Sequence, residues 1–149
     1  MGGKARVRVV IRHRDEFSHG DSRKQLGQAA YHWGILIQPK NPKGFDSNVY
    51  DVTDATVPDP ITRVDLNPNH DWRIRSKMSV NPMHSGRLLG RVMIGKVPSH
   101  ITIEGIDDIL RQVPLPIKSS TPVQNCVNWV LAAIEVMQKQ GLAEAFDVD

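Results

Sequence analysis

The sequence predicts an α+β domain in which an antiparallel sheet packs against a helix that starts at Cys126. Two observations carry this expectation. Strand-like runs occupy the first two thirds of the chain, near 5–13, 31–38, 48–54, 71–78 and 87–97, and two helical patterns follow them. Strands and helices are therefore segregated rather than alternating, which is the pattern of α+β rather than α/β architecture. At 149 residues the chain makes one domain, 1–149, with a single core, and its 40% hydrophobic and 23% charged residues are ordinary for a globular protein.

The first run, Ala5-Arg6-Val7-Arg8-Val9-Val10-Ile11-Arg12, alternates arginine with aliphatic residues, the period of a strand with one buried and one solvated face. Glu16 to Lys24 is polar and reads as a loop, and Gln25 to Ala30 can form a short helix. Ala30-Tyr31-His32-Trp33-Gly34-Ile35-Leu36-Ile37 then gives a strand in which His32, Gly34 and Leu36 share one side. Gly34 leaves a gap beside His32 over which a helix start could pack. Asn48 to Asp54 gives the third strand. Pro58, Pro60 and Pro68 among Asp and Asn residues make 55–69 irregular, and Val80 to Gly86 is a second irregular piece.

Thr102 is a good N-cap for a helix running to Val113, with Ile103, Ile106, Ile109, Leu110 and Val113 as its apolar stripe and Pro114 as its stop. A second helix is expected from about Gln124 to Gln140, with Val127, Val130, Leu131, Ile134 and Met137 inward and Gly141 ending it. The lone cysteine, Cys126, sits in its first turn. Unpaired N–H groups there favour a thiolate, so the thiol is a candidate nucleophile at the edge of the buried face, reachable from solvent. A small core filler would read the same way. Histidine is the usual base for such a thiol, and His32, opening a strand far upstream, is the candidate.

Together, His32-Trp33-Gly34 and Asn125-Cys126-Val127-Asn128-Trp129 resemble the permuted papain-like thiol enzymes related to the NlpC/P60 superfamily, including lecithin:retinol acyltransferase-like and PPPDE-like proteins. In that group a strand beginning His-Trp-Gly comes before an Asn-Cys helix start. The chain also looks like an uncharacterised family of small fungal proteins, through its Tyr-His-Trp strand, Leu88 through Lys96, and Asn125 through Val130. The superfamily resemblance implies a polar residue on the next strand that orients the imidazole. Asp51 best matches that place, with Asp54 as its competitor.

What this implies is thiol-dependent acyl transfer, by a hydrolase or an acyltransferase acting on an amide, ester or thioester carbonyl of a small-molecule or peptide substrate. Cys126 would be nucleophile, His32 base and Asp51 orienter. Gln124 or Asn125 would support the oxyanion beside the Cys126 N–H, although Asn125 can equally be only the helix cap. Trp33, Trp129 and Arg73 are candidate substrate contacts, and Arg63 and Arg75 are cations of the same region. Two alternatives stand beside the enzyme: a non-catalytic binding domain on the same scaffold, and a basic nucleic-acid-binding protein.

The charge pattern bears on the last of these. The formal net charge is +3, but Lys4, Arg6, Arg8, Arg12, Arg14, Arg23, Lys24 and Lys40 face only Asp15, Glu16 and Asp21 in the first forty residues. The arginines follow strand alternation and no nucleic-acid motif accompanies them, so charge alone carries no specificity. No cofactor or metal is expected: the six histidines are scattered, one cysteine cannot build a zinc knuckle, and Gly86-Arg87-Leu88-Leu89-Gly90 lacks the lysine of a phosphate loop. With no apolar run long enough for a bilayer, no signal-peptide pattern and no cysteine pair, a cytoplasmic location is expected. Oligomeric state is not legible.

Overall fold

Strand alternation and helical stripes resolve into five strands followed by two helices in the computed structural model, which describes residues 4–13, 31–54, 57–69, 71–80, 88–117 and 126–144. The strands are β1 (Arg6–His13), β2 (Tyr31–Gln38), β3 (Ser47–Thr53), β4 (Arg73–Val80) and β5 (Leu88–Lys96), and the helices are α1 (Ile103–Arg111) and α2 (Cys126–Lys139). The expected segments 16–30 and 81–86, and the first two residues expected in the second helix, lie outside the described residues.

All the strand pairings are antiparallel, in the order β4-β3-β2-β1-β5. The central β2 is the apolar run of the sequence, as a strand covered on both sides requires. Its odd-numbered residues Ile35 and Ile37 join Val7, Val9, Tyr50, Val52 and Ile94 in the main core, where α1 contributes Ile106 and Leu110 and α2 contributes Val127, Trp129, Val130, Ala133, Ile134 and Met137. Leu36, on the other side, forms a smaller cluster with Val10 and Val49. The middle of the sheet is therefore buried on both faces.

The first helix ends at Arg111 rather than Val113, and β4 is displaced by two residues at each end, from 71–78 to 73–80, for local reasons. β4 starts at Arg73 rather than 71 because the Asn67 side chain takes both backbone groups of Asp71, accepting from its N–H at 3.0 Å and donating to its carbonyl at 3.1 Å. β4 runs on to Val80 because a register shift between Ser47 and Val49 places Val80 opposite Ser47, and the Asn48 side chain accepts from the Ser79 N–H. The irregular 57–69 stretch is held by its own carboxylates: Asp59 accepts from Ile61 and Thr62, and Asp65 from Val57 and Asn67.

The helix ends follow the expected chemistry. Thr102 caps α1 by accepting from the Gly105 N–H at 3.1 Å. At the end of α2, Gly141 adopts a left-handed φ of 79°, with Leu142 N–H bonding to the Met137 carbonyl and Gly141 N–H to that of Gln138, a Schellman arrangement. The chain then crosses β5, where the Glu144 N–H donates to the Ile94 carbonyl at 2.8 Å. Gly95 permits this crossing, since a Cβ there would lie 2.7 Å from the Ala143 Cα. Among the described residues no helix is long and apolar enough to cross a membrane.

Candidate active site

His32 is the second residue of β2, and Asp51 lies at the middle of β3 between two core residues, Tyr50 and Val52. Ile35 pairs with Tyr50, so continuing the antiparallel register one step places Asp51 opposite Gly34 and diagonal to His32. A Cβ on Gly34 would lie 3.0 Å from the Tyr50 carbonyl oxygen and 3.2 Å from the Asp51 Cβ. The gap at Gly34 is thus filled by the neighbouring strand and not, as the sequence suggested, by the start of a helix. The glycine is what admits the carboxylate close to the imidazole.

The His32 Nε2 lies 2.9 Å from the Asp51 Oδ2, and a side-chain hydrogen bond joins the same imidazole to Cys126. With Nε2 on the carboxylate, Nδ1 is the ring nitrogen left for the thiol. Asp51, rather than Asp54, is therefore the carboxylate on the imidazole, and the Asp54 backbone carbonyl receives Asn67. Three residues from β2, β3 and the first position of α2, separated by 19 and 75 positions in sequence, meet at one imidazole.

A fourth residue completes the line. Arg75, directly opposite Asp51 on β4, donates from Nε to Oδ1 at 2.9 Å and from Nη2 to Oδ2 at 2.8 Å. This two-pronged bond fixes the plane of a carboxylate that is only 3% exposed. In the sequence Arg75 is one of several basic residues in its region, and its role depends on a cross-strand register that the sequence does not display. Opposite charges on two strand-like runs were the available signal.

The electrostatics follow from this geometry. Burial alone would lower the His32 pKa, but the hydrogen bonds to Asp51 and Cys126, with the charges behind them, outweigh it and raise it to about 9. Burial alone would raise that of Asp51, yet His32 and Arg75 together hold it down at about 2. The Asp51 hydrogen bonds likewise raise the Arg75 pKa against burial. At neutral pH the line reads guanidinium, carboxylate, imidazolium, with Cys126 on the far side of the imidazole.

Other sequence candidates fall elsewhere. Cys126 is 4% exposed and packs in the main core, so the expectation of a solvent-reachable thiol is corrected: Val127, Trp129 and Val130 draw the first turn of α2 under the sheet. Trp129, at 1% exposure, is a core residue whose Nε1 has no hydrogen-bond partner among the described residues, and it does not line an open surface. Trp33 is half-buried against the same core. Arg73 begins β4 opposite Thr53, two residues from Arg75 and hence on the same side of the strand. Arg63 sits at a turn with φ 66°. Gln124 and Asn125 lie outside the described residues. No group of three His, Cys, Asp or Glu residues disposed for a metal occurs among the described residues.

Fold and site together define an α+β domain whose antiparallel sheet brings an Asp–His pair to a cysteine at a helix start. Over residues 4–147 the chain matches the model of a family of unknown function, DUF6914, and belongs to that family. No curated protein and no solved structure matches it.

Proposed function

We propose that this chain is a cysteine hydrolase or acyltransferase built on a permuted papain-like scaffold, with Cys126 as nucleophile, His32 as acid and base, and Asp51 as the orienting carboxylate. The observation that carries the reading is one imidazole held at 2.9 Å by a buried carboxylate on one side and hydrogen-bonded to a cysteine on the other. The order along the chain, histidine strand, aspartate strand, then cysteine helix, supports the scaffold half of the reading.

In this mechanism the Cys126 sulfur, its proton held by His32, attacks the carbonyl carbon of an amide, ester or thioester. A C–S bond forms and the carbonyl π pair moves to oxygen, where the backbone N–H groups and positive dipole end at the start of α2 stabilise it. As the oxyanion collapses, the leaving amine, alkoxide or thiolate takes the His32 proton and departs, leaving a thioester on Cys126. Water, or an acceptor amine or hydroxyl, then loses its proton to His32 and attacks that thioester. The sulfur leaves as thiolate beside a reprotonated imidazole. Asp51 stays ionised throughout and keeps Nε2–H directed at itself, and Arg75 keeps Asp51 in place.

The test is acylation. The chain incubated with an activated aryl ester or a small thioester should take up a single acyl group, located at Cys126 by peptide mass spectrometry, absent in Cys126→Ala and slowed in His32→Ala. Acylation spread over lysines, or equal in Cys126→Ala, would contradict the reading. The burial of Cys126 favours a second reading, a non-catalytic binding domain on the same scaffold, which predicts no acyl-enzyme with either reagent.

A further inference from the structure

The basic strand that opens the sequence is not used by the site above. Alternation along β1 sends Val7 and Val9 into the main core and places Arg6, Arg8 and Val10 on the other side of the sheet. On one flank β1 pairs with β5, where Val10 is opposite Arg91 and Arg8 is opposite Met93, so Arg91 is the diagonal neighbour of Arg8. On the other flank β1 pairs with β2, where Arg6 is opposite Gln38. Gln38 is 1% exposed, and its Oε1 accepts from the Arg91 Nη1 at 3.0 Å. Because β1 lies between β5 and β2, that bond crosses β1 and brings the Arg91 guanidinium over Arg6 and Arg8.

Three guanidinium groups thus converge on one patch. Among the described residues none of the three forms an ion pair with a carboxylate, and the Arg6 Nη1 donates instead to the Lys4 carbonyl at 2.8 Å. The Arg8 Nε is buried without a hydrogen-bond partner among the described residues. Consistent with this crowding, burial, then Arg91, then Arg6 lower the Arg8 pKa. Gathering like charges with a donor left unmade is unfavourable for a bare fold, and a bound oxyanion relieves both terms at once.

We propose that Arg6, Arg8 and Arg91 form a binding site for a phosphate-bearing small molecule. Planar guanidinium groups donate in pairs to phosphate oxygens, and a multiply charged phosphate balances three cations better than a single carboxylate does. Arg91 is pre-positioned for this by the buried Gln38. The site is separate from the imidazole: Arg8 pairs with Leu36, four residues along β2 from His32, or about 13 Å at strand rise. It stands whether or not the acyl-transfer reading does.

The experiment is calorimetric titration of the whole chain with sodium pyrophosphate, against sodium chloride of equal ionic strength and against acetate. Saturable binding of pyrophosphate is expected, with affinity at least about tenfold weaker in Arg8→Gln and in Arg91→Gln, the scale of a lost charge-assisted hydrogen bond. Ligand-free Arg8→Gln is expected to melt no lower than the native chain, since one of three repelling charges is gone; this separates lost binding from lost folding. Heats reproduced by chloride or acetate, or full affinity in both variants, would overturn the proposal. So would a chain that ignores pyrophosphate yet is retained by an oligonucleotide or by phosphatidic acid vesicles.

Discussion

Replacing Asp51 by Asn tests the electrostatics of the site directly, because it removes the charge while keeping the shape of the side chain. In the native chain His32 is raised from its ordinary 6.5 to about 9, a preference for the imidazolium of roughly 3 kcal/mol at 1.36 kcal/mol per pH unit. That preference exists against burial, which acts in the opposite direction, and the Asp51 hydrogen bond is the largest contribution opposing it. In the Asp51→Asn variant only Cys126 remains to hold the proton. A neighbouring opposite charge is worth about 1–3 pH units, so His32 should fall by at least about one unit. The assay is an NMR titration of the histidine ring protons, with His32→Gln identifying the resonance among the six histidines. A His32 that titrates near 6.5 in the native chain, or one that Asp51→Asn leaves unmoved, would rule out this coupling.

Other outcomes follow from the same geometry. Arg75→Met removes two charge-assisted bonds from a buried carboxylate and should cost about 1–3 kcal/mol by urea denaturation, with Arg75→Lys intermediate because an ammonium cannot make the paired contact. Gly34→Ala pushes a methyl against the Tyr50 carbonyl and Asp51 Cβ, and should lower stability by about 1–3 kcal/mol in thermal melts; Gly95→Ala, which meets the backbone of 142–143, should lower it further. Asp51 is held at about 2 against an ordinary 3.8, so its contribution, roughly 2 kcal/mol, is complete above pH 3.8 and is lost as pH falls through 2. Urea midpoints at about pH 5 and about pH 2 should therefore converge between the native chain and Asp51→Asn as the pH drops.

The parts of this molecule legible from its sequence are those with short-range causes. Alternation placed β1 and β2 to within a residue, Thr102 and Gly141 marked helix ends by their own chemistry, and the order of strands before helices carried the α+β class. Cys126 and His32 were nameable because each residue type suits its chemistry, and Asp51 only through the superfamily resemblance, with Asp54 beside it. Their meeting was not, since it depends on register between strands distant in sequence. The same register hid the Arg75 bond and the crossing of Arg91 to Gln38, and it turned Gly34 from a seat for a helix into room for a carboxylate. The burial of Cys126 was equally invisible: an apolar stripe starting one residue later fixes a face but not how deep the first turn sinks.

The proposed chemistry requires Cys126 and His32 to share a proton in a working pair. It is tested most directly by the pH dependence of Cys126 alkylation with iodoacetamide, comparing the native chain with His32→Ala at equal folding. A shared proton gives reaction that persists well below pH 8.5, about where a free thiol ionises, and that loses its low-pH limb in the variant. A Cys126 that titrates like a free thiol, or that reacts only once the chain unfolds, would contradict it.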